Sequence, residues 1–145
     1  MFNFSLQTIL EVRKRMERIK YKEFSSVLLE RQQLAAQMDG RKDRLASAAG
    51  AMDKFKQSAP STAPLQIHDR FRERIKNELK LLSEQLREKE QTLEVKRKEL
   101  VEARRAHRTL EILRDKERNR YERVLARQER TVMDEIATNY HLYHR

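Results

Sequence analysis

The sequence predicts an all-α fold: a long two-helix antiparallel coiled-coil hairpin whose C-terminal helix overhangs the start of the first. Three observations carry this. Apolar and long-stemmed residues recur alternately four and three apart from Ile75 to Val124, the 3.5-residue repeat of a left-handed coiled coil. Both prolines fall in one short cluster, Ser58-Ala59-Pro60-Ser61-Thr62-Ala63-Pro64. Finally, 39% of residues are charged, 6% are aromatic and only two are glycine, which is a long-helix composition rather than that of a compact α/β domain. Disorder is the other state open to so polar a chain, and the regular seam argues against it.

The spacing predicts a first helix over about residues 5–57. Ser5 suits the N-cap because its hydroxyl can accept from free amides of the first turn. Phe4 and Ile9 are placed for a hydrophobic staple. Ile9, Val12, Met16 and Ile19 keep a three-four rhythm, and the stripe then shifts by one to Phe24, Leu28, Ala35, Met38, Leu45, Ala49 and Met52. Gly40 and Gly50 each cost roughly 1 kcal/mol relative to alanine inside a helix, so the end of this helix should be its softer part.

Residues 58–64 cannot continue a helix, because two prolines remove amide donors and clash with the preceding turn. Pro64 is instead suited to the first turn of the next helix. That second helix is predicted over about residues 65–143, roughly 115 Å at 1.5 Å per residue. So short a break favours folding back into a hairpin within a single coiled-coil domain, residues 1–145. The seam of the second helix reads Ile75, Leu79, Leu82, Leu86, Lys89, Leu93, Lys96, Leu100, Ala103, His107, Leu110, Arg114, Glu117, Tyr121 and Val124. Its charged members can pack their stems while their heads reach water, and they help fix the register. Antiparallel pairing sets the start of helix one opposite about residue 119, judged from the hairpin geometry. The segment beyond, with Tyr121, Val124, Leu125, Val132, Met133, Ile136, Tyr140 and Tyr143, then has no intramolecular partner. An apolar stripe left over in this way is a candidate binding element.

Enzymatic chemistry has no foothold in the sequence. There is no cysteine, hence no disulfide or thiolate zinc site. No GK[ST] accompanies either glycine, so no phosphate loop is expected. His141 and His144 share a helix face without a third ligand, whereas zinc wants three or four. Carboxylates such as Glu84, Glu88 and Glu90 line a solvated face with no cleft for paired acid–base work. No catalytic, cofactor-binding or metal site is therefore expected. The apolar runs are too short to span a membrane, and the start lacks the pattern of a secretory signal, so the cytoplasm is the expected location.

The formal net charge is +10, which would suit nucleic acid, anionic lipid or an acidic protein. Residues 1–57 contribute 12 basic and 7 acidic side chains and residues 65–145 contribute 21 and 16, so each part is +5 and no basic arm stands apart. Glu102, Asp115, Glu117 and Glu122 interleave with the arginines around them and blunt the field a polyanion would see. A basic coiled coil binding nucleic acid or lipid, and a self-assembling structural rod, remain the alternatives from other classes.

The two ends carry a family resemblance. The opening Phe2-Asn3-Phe4-Ser5-Leu6-Gln7-Thr8-Ile9-Leu10 and the closing segment Val132-Met133-Asp134-Glu135-Ile136-Ala137 resemble the terminal motifs of FliJ, a component of the bacterial flagellar type III export apparatus. Phe71 and Ile75 resemble apolar positions early in that family's second helix. The resemblance implies a non-enzymatic coiled coil similar to the stalk of rotary ATP synthases. It implies binding to the hexameric export ATPase (FliI) through Arg13, Arg127, Val132, Met133, Asp134, Glu135 and Ile136. It further implies binding to the export gate protein (FlhA) through Phe71 and Ile75, contact with export chaperones in some members, and a place at the cytoplasmic face of the inner membrane. The corresponding stalk of a virulence type III secretion system is the nearest alternative.

Overall fold

A computed structural model describes residues 2–58 and 62–143. Two helices make up almost all of it: α1, Gln7–Ser58, 52 residues, and α2, Thr62–Tyr143, 82 residues. No strand occurs among the described residues. The helices pack against each other as a hairpin, in the order the sequence predicts. Ala59, Pro60 and Ser61, the centre of the predicted break, lie outside the described residues.

Both helix starts have a cause in backbone chemistry. Ser5 and Leu6 form a turn rather than the first helical residues, and the Gln7 amide donates to the Phe4 carbonyl at 3.1 Å. Phe4 and Leu10 are buried while Ile9 is 47% exposed, so the apolar anchor of this end involves Leu10 and not Ile9. α2 begins at Thr62, ahead of the predicted Leu65, with Pro64 inside its first turn. The first four amides of a helix have no intrahelical acceptor, so a proline there loses nothing.

The packing divides into two compact units. The larger comprises Lys20–Leu100. Its seam on α2 keeps the predicted phase: Leu79, Leu82, Leu86, Lys89, Leu93 and Lys96 are half-buried, and Ile75 and Leu100 are buried. On α1 the facing seam runs Phe24, Val27, Arg31, Leu34, Met38, Arg41, Leu45, Ala48, Met52 and Phe55, none of them exposed. The predicted stripe shares Phe24, Met38, Leu45 and Met52 with it, whereas Ala49 is exposed and Ala48 takes its place.

Charged seam positions in this unit are answered across the interface. Lys20 Nζ donates to Glu99 at 2.8 Å and to Glu23 at 3.2 Å; Lys96 Nζ donates to Glu23 at 2.8 Å and to Glu99 at 3.2 Å. The four form a closed square of alternating charge. Hydrogen bonds from the lysines hold the Glu23 and Glu99 carboxyls below their ordinary value, and hydrogen bonds from the carboxylates raise both lysines. Further along, Lys89 donates to Glu30 and Arg31 donates to Glu90 at 3.1 Å. Arg41 Nε lies 2.7 Å from Glu78 without hydrogen-bond alignment. Near the loop end His68 Nε2 donates to the Ala48 carbonyl at 2.8 Å, and its Nδ1 is buried without a partner. A one-residue slip would move each of these charges off its partner, so the ladder specifies register more than it adds stability.

Candidate functional site

The second unit comprises residues up to Ile19 with Val101 onward. Here α1 is only its first turns, and α2 continues far past them. Phe2 packs on Tyr121 with ring centroids 5.8 Å apart and planes tilted by 49°. Shallow grooves flank this pair, one lined by Phe4, Gln7, Arg114 and Arg118, the other by Glu117, Arg120 and Val124. The aromatic pair thus closes the paired part of the unit close to residue 119, where the hairpin geometry places it.

Glu17 and His107 sit at seam positions in this unit. His107 Nδ1 lies 2.7 Å from Glu17 Oε2, Arg104 Nε donates to the other Glu17 oxygen at 3.3 Å, and His107 Nε2 is 3.6 Å from Glu111. A hydrogen bond from Arg108, reinforced by the charges of His107 and Arg114, holds the Glu111 carboxyl below its ordinary value. Ile9, Val12, Met16 and Ile19, the predicted stripe of this stretch, are instead 42–54% exposed. Within this unit Leu10 and Glu17, seven apart, take the inward positions, and this leaves the apolar four on an outer face.

Every described residue from Arg118 to His141 is exposed. The overhang is therefore helical but left uncovered by α1. Its apolar residues leave the seam phase. At 100° per residue, Tyr121, Leu125, Val132, Ile136 and Tyr143 fall within one arc of about 60°. The predicted Val132 and Ile136 lie on that face, 53% and 58% exposed, and Met133, 67% exposed, lies on its flank. Glu135 borders it on the other side. Arg127 and Asp134, one heptad apart, lie on the opposite face, and Arg13 is exposed on α1. The predicted residues of this end other than Arg13 are thus gathered on one segment of α2, but not in one patch.

Sequence reasoning missed two features here. One is Phe2 as the partner of Tyr121, which the aromatic-x-aromatic opening signalled. The other is a ridge of Arg120, Arg123, Arg127 and Arg130, spaced three, four and three apart, none of which forms an ion pair among the described residues. In the unit of Lys20–Leu100, Phe71 is 40% exposed beside Ile67 at 69%, whereas Ile75 is 3% exposed. Ile75 belongs to the seam, so of the two predicted residues only Phe71 offers a surface.

Comparison with known families gives a match to the flagellar FliJ protein over residues 2–145. The chain belongs to the FliJ family. Neither the curated proteins nor the solved structures contain a match. Membership makes the chain a component of flagellar protein export, in a family whose role there is not enzymatic. No group of metal-ligating side chains occurs among the described residues, and none of their helices is long and apolar enough to cross a membrane.

Proposed function

We propose that this FliJ protein is the stalk of the export ATPase: its overhang enters the FliI hexamer and stimulates hydrolysis, and the Phe71 surface engages the export gate protein FlhA. The observation that carries the reading is the overhang itself, a segment of α2 from Arg118 onward with a continuous apolar arc that α1 does not cover. A single helix with one apolar face cannot contact six equivalent subunits alike. Binding therefore favours closure of one ATP site over the others, and only such differential contact can shift the ring's equilibrium. Export chaperones are further partners on this reading, and the protein acts at the cytoplasmic face of the inner membrane through FliI and FlhA. The flagellar family match favours the flagellar system over a virulence one.

The test is ATP hydrolysis by the cognate ATPase with and without this protein. Stimulation is expected, with loss of most of it on replacing Val132, Met133 and Ile136 by aspartate while helix content is unchanged. Undiminished stimulation by that variant would sink the proposal.

A further inference from the structure

We infer that the outer face of the first turns of α1 is a second docking groove, shaped for one amphipathic helix of another protein that carries acidic residues beside its apolar stripe. Burial in this stretch is inverted. The Glu17 side chain is 26% exposed, whereas Ile9, Val12, Met16 and Ile19 are 42–54% exposed. If α1 served the hairpin alone, apolar side chains would face inward and charges outward. The four are spaced three, four and three apart, a short seam of their own.

α2 supplies the other wall. Arg104 reaches Glu17 from one side of the interface. Ala106 and Leu113, two and nine positions on, lie about 180–200° round the helix and so on the other side. On α1, Gln7 shares the first side with Arg118, which places Ile9 and Met16 on the second. Ala106 is half-buried and Leu113 is 37% exposed, so both walls are apolar.

The rims fix the chemistry of the occupant. Arg15 borders the stripe on α1, and Lys116 and Arg120 border it on α2; none of the three forms an ion pair among the described residues. Two carboxylates lie on this flank, Glu102 at the Ile19 end and Glu117 beside Arg120 at the other, against the three unpaired cations. Two basic rims repel a second copy of the same groove and favour a helix with acidic flanks, whose heptad side chains would fill the apolar floor. Apart from Arg120 the groove uses no residue of the overhang, and it uses none of the overhang's apolar arc, so it stands apart from the proposed ATPase contact.

Fluorescence anisotropy of two labelled synthetic helical peptides with the full-length protein tests this. Both carry leucine at the seam positions; one has glutamate on its flanks and the other lysine. The glutamate peptide is expected to bind about tenfold more tightly, a difference of about 1.4 kcal/mol, and to lose affinity at least as much when Val12→Asp and Met16→Asp are combined. Both sites are exposed, so helix content by circular dichroism should not change. Val132→Asp with Ile136→Asp should leave peptide binding intact while abolishing ATPase stimulation, which separates failure of this inference from failure of the stalk reading. Equal affinity for the two peptides, or no binding of either, overturns it. So does a concentration-dependent dimer, seen by sedimentation, that the Val12/Met16 variant abolishes, since the groove would then belong to a second copy.

Discussion

Two stretches of α2 use the same vocabulary of apolar and charged residues and meet opposite fates. Between Ile75 and Leu100 the seam is covered by α1, and each lysine on it meets a carboxylate from the other helix. Past Tyr121, by contrast, Leu125, Val132, Met133 and Ile136 stay exposed, and the Arg120–Arg130 ridge finds no carboxylate among the described residues. The difference lies in period as well as in the supply of a partner. The first stretch keeps the 3.5-residue repeat that two supercoiled helices require. The second shifts to a straight-helix stripe, which suits a surface of another shape. The hairpin is stabilised by the apolar seam it covers, its register is set by the ion pairs beside that seam, and the apolar arc left outside can meet another surface.

The largest expected break of this contrast is in stability. Leu100→Ala removes a buried side chain and should lower unfolding free energy by about 2–4 kcal/mol, with Ile75→Ala close behind. Chemical denaturation followed by circular dichroism measures both. Next come the glycines. Gly40 and Gly50 have open space where a Cβ would stand and no positive φ. Each changed to alanine should therefore raise stability, by about 0.5–1 kcal/mol in the same titration.

The charge square gives a smaller effect with a defined sign. Glu23 and Glu99 are lowered from an ordinary 4.5, so their contribution is present above that value and is lost as pH falls through the folded one. Lys20 and Lys96 are raised from an ordinary 10.5, so theirs is present below that value and is lost as pH rises through the folded one. Thermal midpoints should form a plateau at neutral pH with shoulders at both ends. Glu99→Gln should weaken the acid shoulder and should also make the neutral plateau less sensitive to salt. The smallest effect sharpens the comparison most. Val132→Asp should leave stability within about 0.5 kcal/mol, yet ATPase stimulation should fall; a variant that instead unfolds would show that the overhang is covered after all.

Particular residues show how far the sequence could be read. The α2 seam from Ile75 to Glu117 was legible position by position, including its charged members, because a long helix with one stripe has few ways to bury it. The end of pairing near residue 119 was legible from helix lengths alone. The α1 seam was not legible at its start. Ile9, Val12, Met16 and Ile19 form the more apolar stripe there, since the competing one contains the charged Glu17 and Lys20 beside Leu10. A single helix gives no information on which of two adjacent stripes meets a partner. The aromatic-x-aromatic opening signalled Phe2 but not its role, which comes from Tyr121, far along the chain.

The sequence by itself determined two helices, their break, their antiparallel sense and the overhang, since these come from period, proline placement and length. Only the tertiary structure decided which face of α1 turns inward and which carboxylate answers each lysine. Those choices depend on complementarity across the interface within each unit, where Glu17 meets His107 in one and Lys20 meets Glu99 in the other. A locally more apolar stripe is outweighed where its neighbour finds better-matched partners across the interface, as Leu10 and Glu17 do.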